Sequence, residues 1–278
     1  MNTLELPARG ATIAYDEVGS GLPVVLLHAF PLDREMWRGQ LDALADIARV
    51  FAIDFPGFGG SKSRAPFGIE DAGDLVAEFL AAVGVKGRAV VGGVSMGGYA
   101  ALAFARRHPE RLAGLILADT KAEADDEAGR AARGKSITLA KEKGAAGLID
   151  QMLPKMLCDA TRDTKSDVVD AVKRIATRQT TEGVTAALAA LRDRPDATPS
   201  LGNISASTLV LVGEHDSVTP PLAAASLGAN IWGSKVVTVP AAAHLSNLEN
   251  PEAFNVALRE FLANVHQTKV NPSRPAAV

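Results

Sequence analysis

The string Gly93-Val94-Ser95-Met96-Gly97 lies within a longer small-residue run, Gly92 to Gly98. It follows the apolar run Ala89-Val90-Val91 and precedes an Ala- and Leu-rich stretch, so it falls where a buried strand turns sharply into a helix. Such a turn strains the serine backbone and lifts its hydroxyl clear of the sheet. Small neighbours are needed there because a side chain would collide with the adjoining strand or helix. The predicted chemistry is attack by the Ser95 hydroxyl on a carbonyl carbon. A serine hydroxyl is a weak nucleophile at neutral pH, so a base must be held beside it.

Among the histidines, His108 closes the run Arg106-Arg107-His108-Pro109, where a positive side chain suits a helix C-terminus. His266 falls in the tail, and His215 reads as a loop residue pointing elsewhere. His244 comes after a β-branched run, Val236 to Val239, in a loop of small residues, Ala241-Ala242-Ala243, that would let an imidazole reach the serine. An imidazole in that role is oriented by a carboxylate. Asp216, just past the apolar run Leu209 to Val212, and Asp119, just past Leu115 to Ala118, both stand at strand ends from which they could reach His244. The developing oxyanion needs two donors. The backbone N–H of Met96, at the start of the helix after the nucleophile, is one. The other is the N–H of Phe30 in the loop His28-Ala29-Phe30-Pro31, since Pro31 has none to give.

Strands are predicted at Val24–Leu27, Val50–Ile53, Ala89–Val94, Leu115–Ala118, Thr208–Val212 and Val236–Val239, each a short run rich in branched apolar residues. Between them, Ile69–Val83, Gly97–His108 and Pro251–Val265 carry apolar residues at helical spacing, with Gly84 and Pro109 as stops. Strands alternating with helices predict an α/β fold with a mostly parallel central sheet flanked by helices. From Lys121 to Pro199 the strand pattern gives way to Ala-rich, charged, helical spacing, with Ser166 and Thr181 expected as N-caps. The expected organisation is a core of residues 1–120 and 200–265, a helical insertion at 121–199, and a frayed tail at 266–278.

Together these residues resemble the α/β-hydrolase superfamily, from about Thr12 to Val265. Four blocks carry the resemblance: His28-Ala29-Phe30-Pro31-Leu32-Asp33, Asp54-Phe55-Pro56-Gly57-Phe58-Gly59-Gly60-Ser61, the serine turn, and Gly213 to Asp216 with His244. The segment from His244 to Asn255 resembles the stretch that begins at the histidine in small esterases and enol-lactone hydrolases, and this places Asp216 ahead of Asp119 as the acid. Serine, acid and histidine in that chain order also match the family. The resemblance implies that the insertion caps the active site. Ala29 stands where the family commonly has glycine, so its φ angle is expected to be negative.

The expected reaction is hydrolysis of small carboxylic esters through an acyl-enzyme on Ser95, without a cofactor. A lactonase of the enol-lactone type shares every catalytic residue and is the nearest alternative, with perhydrolysis as a side activity. A silent ligand-binding receptor of the same fold is a further one. A serine at the nucleophile position excludes the aspartate-nucleophile dehalogenases and epoxide hydrolases. Gly57 to Gly60 lacks the spacing of a dinucleotide fingerprint, and no His-Glu-x-x-His metal string occurs.

A chain of 278 residues, 47% hydrophobic and 22% charged, can bury one large α/β core. Its net charge of −3, with no basic stripe, argues against a nucleic-acid partner. The apolar runs are too short to span a bilayer, and no export signal is read in Met1 to Gly10, so a cytoplasmic location is expected. The single cysteine, Cys158, precludes an internal disulfide and reads as a buried structural thiol. The expected partner is a small ester or lactone; oligomeric state is not legible.

Overall fold

The β-branched runs form strands, in a computed structural model that describes residues 1–63 and 68–268. They are β1 (Asn2–Leu6), β2 (Ala11–Val18), β3 (Leu22–Leu27), β4 (Ala48–Ile53), β5 (Lys62–Ser63), β6 (Ala89–Val94), β7 (Leu112–Ala118), β8 (Ser207–Gly213) and β9 (Lys235–Val239). They join in one sheet in the order β1-β2-β4-β3-β6-β7-β8-β9, with β5 paired to β2. From β4 to β9 every pairing is parallel, whereas β1, β2 and β5 are antiparallel additions at one edge. The central strands are covered on both faces, which is why β3 and β6 read as continuous apolar runs. β1 is mostly exposed and carries polar residues, so it gives no such signal.

Helices α1 (Arg38–Leu44), α2 (Ile69–Ala82) and α3 (Met96–Arg107) connect the early strands. α4 (Glu127–Met156), α5 (Asp159–Thr164), α6 (Ser166–Thr177) and α7 (Thr181–Asp193) form the insertion between β7 and β8. α8 (Pro221–Asn230), α9 (Ser246–Glu249) and α10 (Pro251–Thr268) complete the chain. α2, α3 and α8 contribute to the apolar layer on one sheet face, and α1 and α10 to the layer on the other. Phe254, Leu258 and Leu262 of α10 are buried in that second layer, each stabilising the docked helix by about 1.5–3 kcal/mol. Among the described residues no helix is long and apolar enough to cross a membrane.

Three local expectations are corrected. Ser166 is the first helical residue of α6 rather than its cap, because α5 ends at Thr164 and the one intervening residue, Lys165, serves both helix ends. Thr180, not Thr181, caps α7: it is the threonine with extended backbone, and its hydroxyl accepts from Gly183 N–H at 3.1 Å. The last helix runs past Val265 through residues 266–268, while 269–278 lie outside the described residues. Ala29 avoids positive φ, and Cys158 is free and buried, as expected.

Candidate active site

Ser95 stands between β6 and α3 with φ 53° and ψ −111°, a conformation costing about 1–3 kcal/mol for a residue with a side chain. The surroundings hold it there. Ser95 N–H donates to Ala118 O, and Ser95 O accepts from Gly98 N–H, Tyr99 N–H and the Thr120 hydroxyl. The flanking glycines are sterically required. A Cβ on Gly93 would lie 2.2 Å from Gly97 C, and one on Gly97 would lie 2.1 Å from Leu27 O. Both obstacles are backbone, which cannot swing away. Gly97→Ala is therefore expected to destabilise the fold by about 3 kcal/mol, at the upper end of ordinary overpacking. A urea midpoint equal to wild type would contradict this packing argument.

His244 lies in the loop between β9 and α9, and its Nε2 is 2.9 Å from Ser95 Oγ. Its Nδ1 is 2.9 Å from Asp216 Oδ2. A carboxylate can only accept, so Nδ1 carries the proton and Nε2 is left to receive one from Ser95. Asp216 is fixed in turn by donors from the residues just after it: Val218 N–H (2.8 Å) and Thr219 N–H (3.0 Å) to Oδ1, and the Thr219 hydroxyl (2.7 Å) to Oδ2. Both side chains are nearly fully buried. Burial opposes charge on each, yet the bonds to His244 and Thr219 hold the Asp216 carboxyl below its usual range. Burial likewise works against the imidazolium, but Asp216, with help from Asp119, holds His244 above its usual value. The other candidates are committed elsewhere: His108 Nε2 is 2.8 Å from Asp74, and His215 is more than half exposed.

Ser95 and His244 open into a cavity of about 660 Å³ between the sheet and the insertion. Its apolar wall includes Phe30, Tyr99, Leu139, Met152, Leu188 and Leu191. Phe30 lies just past β3 and Met96 opens α3, so the two candidate N–H donors follow the ends of neighbouring parallel strands. Met96 N–H belongs to the first turn of α3, where no intrahelical acceptor exists.

Residues 23–251 match the family defined by the α/β-hydrolase fold. The chain belongs to the α/β-hydrolase family. It is 32% identical over 251 residues to the pimeloyl-[acyl-carrier protein] methyl ester esterase of Neisseria meningitidis, covering 87% of this chain and 94% of that one. Among solved structures it is similar to a thermophilic esterase from Thermogutta terrifontis, with TM-score 0.89 and 38% identity over 92% of this chain and 94% of the other. It is also similar to the enol-lactonase from Burkholderia xenovorans, with TM-score 0.85 and 26% identity over 91% and 97% of the two chains.

This α/β-hydrolase also holds its loops with buried polar struts that sequence reasoning missed or misjudged. Asp119, weighed as an acid, lies behind the site instead: Oδ1 accepts from Gly213 N–H (2.8 Å), and Oδ2 accepts from Ser246 N–H (3.2 Å) and its hydroxyl (2.5 Å). One carboxylate thus ties the loop carrying Asp216 to the loop carrying His244. Burial, with the Asp216 charge, pushes Asp119 up to about 7. Glu249 accepts from Ala243 N–H and Cys158 N–H, joining the His244 loop to the insertion. His28 Nε2 accepts from Phe55 N–H, and fully buried, it is lowered to about 4 and stays neutral. Asp33 accepts from Arg178 and Gln179 across the insertion boundary. His28, Asp33 and Phe55 fall in the blocks that carry the family resemblance, but no spacing reveals the pairings: 27 positions separate His28 from Phe55, and 146 separate Asp33 from Gln179.

Proposed function

We propose that the protein cleaves small carboxylic esters by serine catalysis, with Ser95 as nucleophile, His244 as general base and Asp216 as its orienting acid. The reading rests on the unbroken relay from Asp216 through His244 to Ser95, 2.9 Å at each step, opening into an apolar cavity. As Ser95 Oγ bonds to the ester carbon, its proton passes to His244 Nε2 and negative charge develops on the carbonyl oxygen. The N–H groups of Phe30 and Met96 receive that charge. The C–O bond to the alcohol then breaks, His244 returns the proton to the leaving alkoxide, and an acyl-serine remains. Water, deprotonated by His244, attacks the acyl carbon and releases the acid. No step calls for a cofactor. α4 to α7 act as a cap over Ser95, and the buried Asp33 contacts to Arg178 and Gln179 fix that cap to the loop bearing Phe30.

The relatives' esterase and enol-lactonase activities are both hydrolyses of carboxylic esters, and this chain is a hydrolase of that class. Lactone opening by the same relay is the second reading, favoured by the likeness to the enol-lactonase. A series of p-nitrophenyl esters of increasing acyl length beside a lactone panel tests both, with Ser95→Ala as control. The expected outcome is Ser95-dependent ester turnover that declines with acyl length. A strong lactone preference would select the second reading, and failure of a fluorophosphonate probe to label Ser95 would sink serine catalysis altogether.

A further inference from the structure

The cavity above Ser95 is unevenly charged for a chain whose net charge is −3. Among the described residues, Lys121, Arg133, Lys135 and Lys155 line it, against the single carboxylate of Asp125. Asp125 is already spent: its two oxygens take Arg133 at 3.1 Å and Arg194 at 2.9 Å. Arg133 is thereby neutralised in turn, while Lys121, Lys135 and Lys155 make no ion pair among the described residues. Three lysines therefore line one cavity, Lys121 half-buried and Lys135 and Lys155 exposed at its rim, with no ion-paired carboxylate among the described residues.

Their convergence depends on the shape of the insertion. A straight α4 would hold Lys135 and Lys155 about 30 Å apart at 1.5 Å per residue. Gly144, at φ 66° and ψ −170°, breaks that helix into two arms, and both arms supply side chains to the same cavity. Lys121, between β7 and α4, completes the set. Ammonium groups are compact point charges suited to a monoanion, whereas the guanidinium that could grip a phosphate through two parallel hydrogen bonds is held by Asp125. The same cavity is also lined by Leu139, Met152 and Met156, which solvate hydrocarbon.

We propose that Lys121, Lys135 and Lys155 form an anion subsite, so that the preferred substrate is an ester carrying a carboxylate separated by an apolar segment from the bond that breaks. The inference rests on the ester-hydrolase reading above and names the substrate class of that site. The remote carboxylate takes no part in the chemistry; it steers the ester into a positive cleft and holds it there.

The test compares charged and neutral esters of matched length: monomethyl esters of dicarboxylic acids of increasing length against methyl esters of monocarboxylic acids. Acetate esters of ω-hydroxy acids against alkyl acetates probe the alcohol side. The expected result is a preference of about tenfold or more in kcat/KM for the charged member of at least one series, carried mainly by KM and shrinking at high salt. In the variant combining Lys121→Gln, Lys135→Gln and Lys155→Gln, the preference should collapse to about unity. The preference is read as a ratio within the one variant, so it does not depend on the absolute turnover of neutral esters, and an unchanged thermal midpoint shows that the variant is folded. Equal or better turnover of neutral esters by the wild type, or a preference that survives the triple substitution, would overturn the subsite and leave the ester-hydrolase reading standing. Absence of Ser95-dependent turnover in both series would overturn that reading and the subsite together.

Discussion

Ser95→Ala is expected to lower kcat/KM for the best ester by about 10⁴- to 10⁶-fold, and His244→Ala by a similar factor. The Ser95→Ala/His244→Ala double variant is expected to be no worse than either single one. The reason lies in the geometry: Ser95 Oγ is useful only when Nε2, 2.9 Å away, removes its proton, and Nε2 is useful only when that hydroxyl is present. Groups that act as one unit lose their contribution once, not twice. What should survive is the oxyanion stabilisation proposed for the Phe30 and Met96 N–H groups, which neither substitution touches. Ser95→Ala should keep its thermal midpoint. His244→Ala removes a partner from buried Asp216, but that carboxylate retains two backbone N–H groups and the Thr219 hydroxyl, so the fold should persist with reduced stability. Losses that multiply in the double variant would mean that Ser95 and His244 do not act through one another.

What was legible in the sequence was what local sterics demand. The glycines around Ser95 are written into the chain because backbone atoms of Leu27 and Gly97 leave no room for a Cβ. The doubly covered strands announce themselves as apolar runs, and Gly84, at φ +79°, ends α2 as a stop should. The edge hairpin of β1 and β2 escaped because a half-exposed strand among polar residues has no such run. The caps of α6 and α7 were displaced by one residue because neighbouring residues compete for one position, and the backbone of the preceding turn decides between them. Least legible were contacts between distant segments. Asp119 joins Gly213 to Ser246, and Gly144 folds α4 so that Lys135 and Lys155 share a cavity; neither fact leaves a periodicity to read.

The two carboxylates considered for the acid should respond very differently to replacement by the amide. In Asp216→Asn, an NH₂ placed at the Oδ1 position would face the N–H groups of Val218 and Thr219, two donors that cannot rotate away. The amide therefore places its NH₂ at the Oδ2 position, where the Thr219 hydroxyl can turn to accept it. His244 Nδ1 must then become the acceptor, which moves the imidazole proton to Nε2 and leaves Ser95 without a base. A loss of about 10⁴-fold in kcat is expected. In Asp119→Asn, Oδ1 can still accept from Gly213 N–H, and only the Ser246 N–H loses its acceptor, at a cost of about 1–3 kcal/mol in stability. Its plateau kcat should stay within about tenfold of wild type. Its signature is in pH. Catalysis needs neutral His244, whose pKa is held above its usual value chiefly against burial by Asp216, and further by Asp119. In the wild type, activity should therefore rise with pH along a limb lying above the ordinary histidine value, shaped jointly with Asp119 as that group ionises near 7. Removing the Asp119 charge favours the neutral imidazole, so the limb of kcat/KM should move to lower pH. The stability effect of Asp119 has a definite sign too: a carboxyl raised in the folded state favours folding at low pH, and that contribution is lost as pH rises through about 7. A limb that does not move would mean that Asp119 carries no charge where His244 titrates. A 10⁴-fold loss in Asp119→Asn with modest loss in Asp216→Asn would reverse the assignment of the acid.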